Sequence, residues 1–122
     1  AFARAGIWVP FFAVAGENDK ISVQESGYPV IVKPTDRSGS RGITRVERKE
    51  ELKSAIARAT EQSFEKKAII EEYIEGAEYS VETISYQGTH TLLANTKKYT
   101  TGNPHYIEVA HLEPAPLRPE TE

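Results

Sequence analysis

A run of basic and small residues after position 30 holds the groups in this sequence best suited to chemistry. A loop of eight residues, Thr35 to Gly42, contains a single acid, and four cations lie within it or beside it: Lys33, Arg37, Arg41 and Arg45. A tight hairpin needs only about two to five residues. Glycines in such a loop allow positive φ and a close backbone approach to a ligand, and successive exposed N–H groups bind anions. The loop is therefore predicted to cover a phosphate group.

The composition of this loop leaves a second interpretation open. A connection rich in glycine and serine can simply be solvated, with its arginines keeping the surface soluble. It is not a Walker A loop, because no G-K-[ST] is present and a strand, not a helix, is expected next. Ser38 and Ser40 add hydroxyl donors, and Lys33 supplies a point charge of the kind that binds phosphate. The loop alone does not decide between the two.

The acidic segment AIIEEYIEGAEYSVE provides a second candidate site. Glu78 follows Glu71 by seven positions, and a carboxylate at the mouth of an apolar slot can accept the vicinal hydroxyls of a ribose. Backbone groups of Glu72 and Ile74 can pair with the edge of a flat heterocycle, while the side chains of Ile70 and Ile74 press on its face. Small-ligand pockets are mostly apolar with a few placed polar groups. Acidic residues on alternate strand positions commonly face water, so a solvated strand is the alternative.

The elements that must position these groups follow from prolines and periodicity. Val30 to Val32 form a β-branched run between two prolines, which indicates a strand that ends at Lys33. Residues 48 to 64 place apolar side chains at helical spacing and predict a helix. Further strands are expected within 11–24 and over 43–46, 68–74, 78–87, 91–100 and 106–117, with a turn at 88–90. This order predicts an α+β fold in which an antiparallel β-sheet packs against helices on one face.

The composition excludes several other kinds of site. A chain of 122 residues with 39% hydrophobic content suits one globular domain, and a net charge of −3 does not favour a nucleic-acid surface. The absence of cysteine excludes disulfides and thiolate metal sites and fits a cytoplasmic protein. No apolar run approaches the roughly 20 residues of a membrane span. Because the sequence contains no methionine, we expect it to be an excised or processed piece of a longer protein.

Taken in order, the two candidate sites resemble the motifs of the ATP-grasp family. That family has a strand ending in an essential lysine, a glycine- and serine-rich phosphate loop, a helix, a strand of type [VI]-x-E-x-[FYW]-[IL] and a later G-x-E. The corresponding stretches here are VIVKP, DRSGSRG, IIEEYI and EGAEYSVE. The later NTKKYTTGNPHYIEVAHLEPAPL resembles carbamoyl-phosphate-synthase-like members, although Ala110 stands where a glycine is usual. The resemblance implies a linker over 1–26 and a nucleotide-binding subdomain over 27–117. The terminal residues 118–122 are expected to form a disordered tail.

The resemblance implies a nucleotide site whose members can be carried over one position at a time. The residues concerned are Lys33, Ser38, Gly39, Ser40, Gly42, Glu71, Glu72, Ile74, Glu78 and Lys98. The first lysine would contact the α- and β-phosphates of ATP, and the serines and glycines would form a lid over the β- and γ-phosphates. Glu71, with the backbone of Glu72 and Ile74, would hold the adenine. Glu78 would bind the ribose hydroxyls, and Lys98, not its neighbour Lys97, would approach the γ-phosphate.

The activity implied is that of a ligase which activates a carboxylate as an acyl phosphate for attack by an amine or another nucleophile. Mg²⁺ bridges the phosphates in such reactions. The family's acidic magnesium ligands have no match here, so we expect them outside this chain, which should bind nucleotide weakly and not complete catalysis. The parent enzyme would bind ATP, a small carboxylate and an amine, with no nucleic-acid or membrane partner. His105 and His111 could act as acid–base groups or be structural.

Two further expectations concern partners. Ile7, Trp8, Phe11 and Phe12 lack obvious apolar neighbours in sequence, so we expect an exposed patch at the amino end that could form a homodimer. The alternative to a ligase lobe is a non-catalytic α+β interaction module whose basic loop binds a phosphorylated or acidic partner. Such a module would respond to sulfate, phosphate and ATP alike, because it would need no adenine slot.

Overall fold

The computed structural model describes residues 2–16, 19, 21, 23–24, 27–103 and 106–117. Within these ranges the chain forms two compact units. The first runs to Ile74 and also includes Asn103, and the second runs from Glu75 to Gly102 and continues from Tyr106.

The first unit is a four-stranded antiparallel sheet with one helix. Its strands are β1 (Phe12–Gly16), β2 (Val30–Pro34), β3 (Thr44–Val46) and β4 (Lys67–Glu72), its helix is α1 (Lys49–Gln62), and a single 3-10 turn covers Ala3–Ala5. The strands lie in the order β1-β4-β2-β3. β4 is thus central, between β1 and β2, so residues far apart in sequence meet on neighbouring strands.

The core of the first unit lies between α1 and one face of this sheet. Leucine, alanine and isoleucine at helical spacing on α1 meet the alternate inward residues of the strands. The buried apolar residues are Ala15, Val23, Val30, Val32, Val46, Leu52, Ala55, Ile56, Ala59, Ala68 and Ile70. Because the helix covers only one face, the strand residues between these positions are directed to the opposite, outer face of the sheet.

The second unit is a three-stranded antiparallel sheet. Its strands are β5 (Glu78–Tyr86), β6 (Thr89–Thr100) and β7 (Glu108–Leu112), with β6 in the centre. The β5–β6 turn is Gln87–Gly88, one residue earlier than the predicted start at residue 88. Both residues have positive φ, 47° and 79°, which is the conformation of a type I′ two-residue hairpin.

The predicted α+β class with antiparallel strands is confirmed. The strands form two sheets and not the single sheet expected, and α1 is the one α-helix among the residues described above. β1 comes from the predicted linker over 1–26 yet pairs with β4, while the predicted tail over 118–122 lies outside the described residues. No helix in the described ranges is long and apolar enough to cross a membrane.

Candidate functional site

The outer face of the first sheet brings together the predicted phosphate lysine and the predicted adenine glutamate. The β2–β4 register pairs Lys33 with Ile69 and Ile31 with Glu71, so all four side chains lie on this face. The Nζ atom of Lys33 lies 2.5 Å from Oε2 of Glu71. Two site residues predicted from separate segments thus form an ion pair on adjacent strands.

The apolar surface beside this ion pair is not the one predicted. Ile70 is fully buried in the core under α1, so the prediction that its side chain presses on a bound base is wrong. Successive strand residues face opposite sides of a sheet, and Glu71 is on the outer face. Ile69 is therefore the isoleucine that lies beside Lys33 and Glu71, with Val14 of β1 opposite it. Counting by twos from Glu71 would have identified Ile69 in the sequence.

The loop after β2 is fixed at its end and open at its tip. Gly39, Ser40 and Gly42 all have positive φ. A Cβ atom on Gly42 would lie 2.9 Å from Cγ of Pro34 and 3.2 Å from Cβ of Gln62, whereas one on Gly39 would have no described heavy atom within 4 Å. The end of the loop is therefore packed against β2 and α1, while its tip projects into open space.

The basic cluster around the loop is mostly bound within the protein. Arg37 donates from Nε to the Gln62 carbonyl at 2.5 Å, and its guanidinium lies 3.6 Å from the centre of the Phe64 ring. Arg45 pairs with Glu47 at 2.8 Å and lies over the Tyr73 ring. Arg37 thus joins the loop to the segment after α1. This structural role, which basic composition does not reveal, differs from phosphate binding.

Asp36 makes the second attachment between the loop and the segment after α1. Its Oδ2 atom accepts a hydrogen bond from the Glu65 N–H at 2.8 Å. Burial acts to raise the pKa of this carboxyl, but hydrogen bonds from Glu65, Ser63 and Phe64 and the charge of Arg37 outweigh it and hold the pKa below 3.8. A carboxyl with a lowered folded pKa contributes stability above its unfolded value, and that contribution is lost as pH falls through the folded value.

We therefore expect Asp36→Asn to reduce the acid sensitivity of the first unit. Stability measured by urea denaturation should fall less steeply from about pH 5 to about pH 2 in the variant than in the wild type, since one such carboxylate has been removed. Glu82→Gln removes an exposed carboxylate of the other unit and controls for the change in net charge. Equal acid dependence in Asp36→Asn and the wild type would contradict the role assigned to Asp36.

In the second unit, the predicted ribose and γ-phosphate residues lie in one cross-strand row. Glu78 pairs with Lys98, and Lys98 with His111, across β5, β6 and β7. Lys98 donates from Nζ to Oε1 of Glu78 at 3.0 Å and also pairs with Glu108. Lys97 is on the other face, with its ammonium 5.2 Å from the centre of the Tyr99 ring. Of the two adjacent lysines, Lys98 is thus the one that shares a face with Glu78.

Glu108 is a member of this cluster that the sequence did not single out. Its Oε2 atom lies 3.2 Å from Nε2 of His111, while its other oxygen pairs with Lys98. The hydrogen bonds that the Lys98 ammonium donates to Glu108, and then to Glu78, raise the pKa of Lys98 above its ordinary value. The hydrogen bond from Lys98 lowers the pKa of Glu108. His111 is therefore part of this cluster. Of the other two histidines, His90 forms a hydrogen bond through Nδ1 with Oγ of Ser85 at 2.7 Å, and His105 lies outside the described residues.

The described residues do not fit a magnesium site. Within the described ranges, no three histidine, aspartate or glutamate side chains come together as metal ligands would. In the second unit the carboxylates of Glu78 and Glu108 both pair with the ammonium of Lys98.

Comparison with known proteins points in a single direction. The sequence model of the ATP-grasp domain matches residues 26–122. The chain is 31% identical over 119 residues to a D-alanine–D-alanine ligase of Alcanivorax borkumensis, covering 91% of this chain and 37% of that protein. It is 40% identical over 75 residues to the vancomycin B-type resistance protein VanB of Enterococcus faecalis, covering 62% of this chain and 21% of that one.

Solved structures agree with the sequence relatives. VanG D-Ala:D-Ser ligase from Enterococcus faecalis superposes with a TM-score of 0.75 and 25% identity, covering 99% of this chain and 38% of that one. An L-amino acid ligase from Bacillus licheniformis superposes with a TM-score of 0.74 and 28% identity, covering 98% and 27%. The chain thus spans well under half the length of each relative named here.

Proposed function

The chain belongs to the ATP-grasp family, and on that premise we propose that it is the nucleotide-binding portion of an ATP-dependent carboxylate–amine ligase. Its named relatives include D-alanine–D-alanine, D-Ala:D-Ser and L-amino acid ligases. The chain spans only part of each of these relatives. In this proposal the reaction, its two substrates and its Mg²⁺ would belong to a longer parent enzyme. In that enzyme ATP would activate an amino-acid-like carboxylate as an acyl phosphate, and an amine would attack it.

The observation that carries this proposal is the ion pair of Lys33 and Glu71. Lys33 would bind the α- and β-phosphates and Glu71 would bind the adenine, so both side chains must reach the same nucleotide. Nζ of Lys33 and Oε2 of Glu71 lie 2.5 Å apart on one face of the sheet. In the absence of nucleotide each neutralises the other. An incoming phosphate would replace the carboxylate at the lysine ammonium and release Glu71 towards the exocyclic amino group of the base.

The remaining residues of the first unit would each meet a separate part of the nucleotide. Ile69 supplies apolar surface for the adenine ring. The Glu72 N–H already donates to the Phe11 carbonyl at 3.0 Å, so a base would meet the carbonyl of Glu72, with Ile74 next to it. Ser38, Gly39, Ser40 and Gly42 would close over the β- and γ-phosphates, since the loop tip is open and its backbone already has positive φ.

In the second unit, Glu78 would accept the ribose hydroxyls and Lys98 would contact the γ-phosphate. Lys98 suits a phosphate because its ammonium is kept protonated by neighbouring carboxylates. Three other expectations stay predictions. They are the likeness of residues 95–117 to carbamoyl-phosphate-synthase-like enzymes, a cytoplasmic location, and a homodimer formed through the exposed amino-terminal residues Ile7, Trp8, Phe11 and Phe12.

Lys33→Met is expected to weaken ATP binding about 10- to 100-fold, because it removes a charge-assisted contact worth roughly 1.5–3 kcal/mol. Binding is measured by titrating Mg·ATP and following the amide resonances of residues 38–42. Lys67→Met is the matched control, since Lys67 lies on β4 of the same sheet and its ammonium pairs with the exposed Glu65 at 3.5 Å.

The same titration separates a ligase lobe from an anion-binding module. A ligase lobe should respond to ATP at lower concentration than to sulfate or inorganic phosphate, because only ATP can use the adenine slot. Equal responses to the three anions would favour the interaction module. No movement of the loop amides at millimolar ATP would contradict the proposal.

A further inference from the structure

We propose that Glu108 is a positioning residue that holds the Lys98 ammonium in place for a terminal phosphate. The inference rests on the proposed function at one point, namely that Lys98 contacts the γ-phosphate. Glu108 itself need not touch the nucleotide. Glu108 instead fixes the orientation of the Lys98 side chain and favours its charged form, and Lys98 contacts the nucleotide.

The first argument is the number of donors that Lys98 has left. An ammonium has three N–H donors and no acceptor. Glu78 on β5 and Glu108 on β7 lie on either side of Lys98 on the central strand, and each takes one donor. The Lys98 side chain is only 18% exposed, so its freedom is small. One donor remains for an oxygen that approaches from solution.

The second argument is that Glu108 is held at both of its carboxylate oxygens. Oε1 pairs with Lys98, and Oε2 lies 3.2 Å from Nε2 of His111. A carboxylate fixed in this way cannot rotate without losing one contact. Glu78, by contrast, would have to share its oxygens with the ribose hydroxyls. When nucleotide is bound, Glu108 is therefore the carboxylate that can remain on Lys98.

The third argument is a β-bulge that directs Glu108 to the correct face. The β6–β7 register pairs Lys98 with His111 and Tyr99 with Ala110, and then shifts so that Thr100 pairs with Glu108. In an unbroken register Thr100 would face Val109, and Glu108 would lie on the opposite side of the sheet from Lys98. Bulges commonly redirect a side chain in this way near functional sites. Here the bulge places a carboxylate, instead of a valine, beside the lysine.

The pKa shifts agree with this geometry. The hydrogen bond to Glu108 is the largest cause of the raised pKa of Lys98, ahead of that to Glu78. Lys98 in turn lowers the pKa of Glu108. Both shifts favour the charged forms of the two groups, as an ion pair requires.

The test compares ATP with ADP in the full chain carrying Glu108→Gln. ADP lacks the γ-phosphate, so a residue that acts through Lys98 should matter for ATP alone. We expect the dissociation constant for ATP to rise about tenfold and that for ADP to change less than about twofold. Lys98→Met should lose the same preference, and the double variant should bind ATP no more weakly than Lys98→Met, because the two residues act as a unit.

Two further variants support the comparison. Glu82→Gln makes the same change at an exposed site on β5 and should keep the ATP preference of the wild type. Glu108→Asp keeps the charge but shortens its reach, and should fall between the wild type and Glu108→Gln. In the nucleotide-free chain, the pKa of Lys98, followed through its ¹³Cε resonance, should fall in Glu108→Gln and not in Glu82→Gln.

The outcomes distinguish failure of this inference from failure of the proposed function. If Glu108→Gln weakened the binding of ATP and of ADP equally, Glu108 would have a structural role only. The inference would also be overturned if Glu108→Gln kept the wild-type preference for ATP, or if the pKa of Lys98 were unchanged in that variant. In each of these cases the proposed function would stand. A wild-type chain that binds neither nucleotide would overturn both.

Discussion

Ile70→Ala is expected to lower the free energy of unfolding of the first unit by about 2–5 kcal/mol. Ile70 is the largest fully buried side chain of the core and lies on β4, which has a strand on either side. Truncation removes buried methylene and methyl groups and leaves a cavity that close-packed neighbours fill only in part. Urea denaturation followed through the amide resonances of β2 and β4 reports the unfolding of this unit by itself.

Ile69→Ala is the matched control, since it makes the same change one residue away on the opposite face. Ile69 is only partly buried, so its loss should cost less than half as much stability as that of Ile70. It should instead weaken ATP binding several-fold, while folded Ile70→Ala binds ATP as the wild type does. Equal stability losses, or an ATP defect confined to Ile70→Ala, would contradict the assignment of the two faces.

The contrast between these isoleucines indicates where sequence reasoning stops. The β-branched run before Lys33 and the helical spacing of Leu52 and Ile56 predict their elements correctly, because each is a local pattern with a period of its own. In the two adjacent isoleucines followed by two glutamates, a period of two shows only that Ile69 shares a face with Glu71 and that Ile70 lies on the other face. Which of them faces the core depends on the helix that covers the sheet, and that contact is not local.

The interaction partners of charged side chains also cannot be predicted from composition. Arg37 looked like one of several equivalent cations, yet it stacks on Phe64 and bonds the end of α1. Composition likewise does not indicate that Glu108 lies beside Lys98, because that approach requires both the β6–β7 pairing and the bulge within it. A period-two reading assigns Glu108 to the wrong face. The division of the strands between two sheets likewise depends on pairing and not on strand propensity.

Gly42→Ala is expected to destabilise the first unit by about 2–5 kcal/mol, since two costs add at one position. The residue has a φ of 74°, which costs a non-glycine residue roughly 1–2 kcal/mol. Its new Cβ would also lie 2.9 Å from the ring of Pro34 and 3.2 Å from Cβ of Gln62, and overpacking of this kind costs about 1–3 kcal/mol. The loss is measured by urea denaturation with the same β2 and β4 resonances.

Gly39→Ala separates the two costs. Its φ of 67° is nearly the same, but no described heavy atom lies within 4 Å of the added Cβ, so only the conformational cost of roughly 1–2 kcal/mol applies. The difference between the variants measures how tightly the end of the loop is packed between β2 and α1. In the proposed function, a loop held at its end and open at its tip would close over a phosphate without disturbing the sheet that carries Lys33. If Gly39→Ala destabilised the unit as much as Gly42→Ala, the tip would be packed as well, and the loop could not act as a lid.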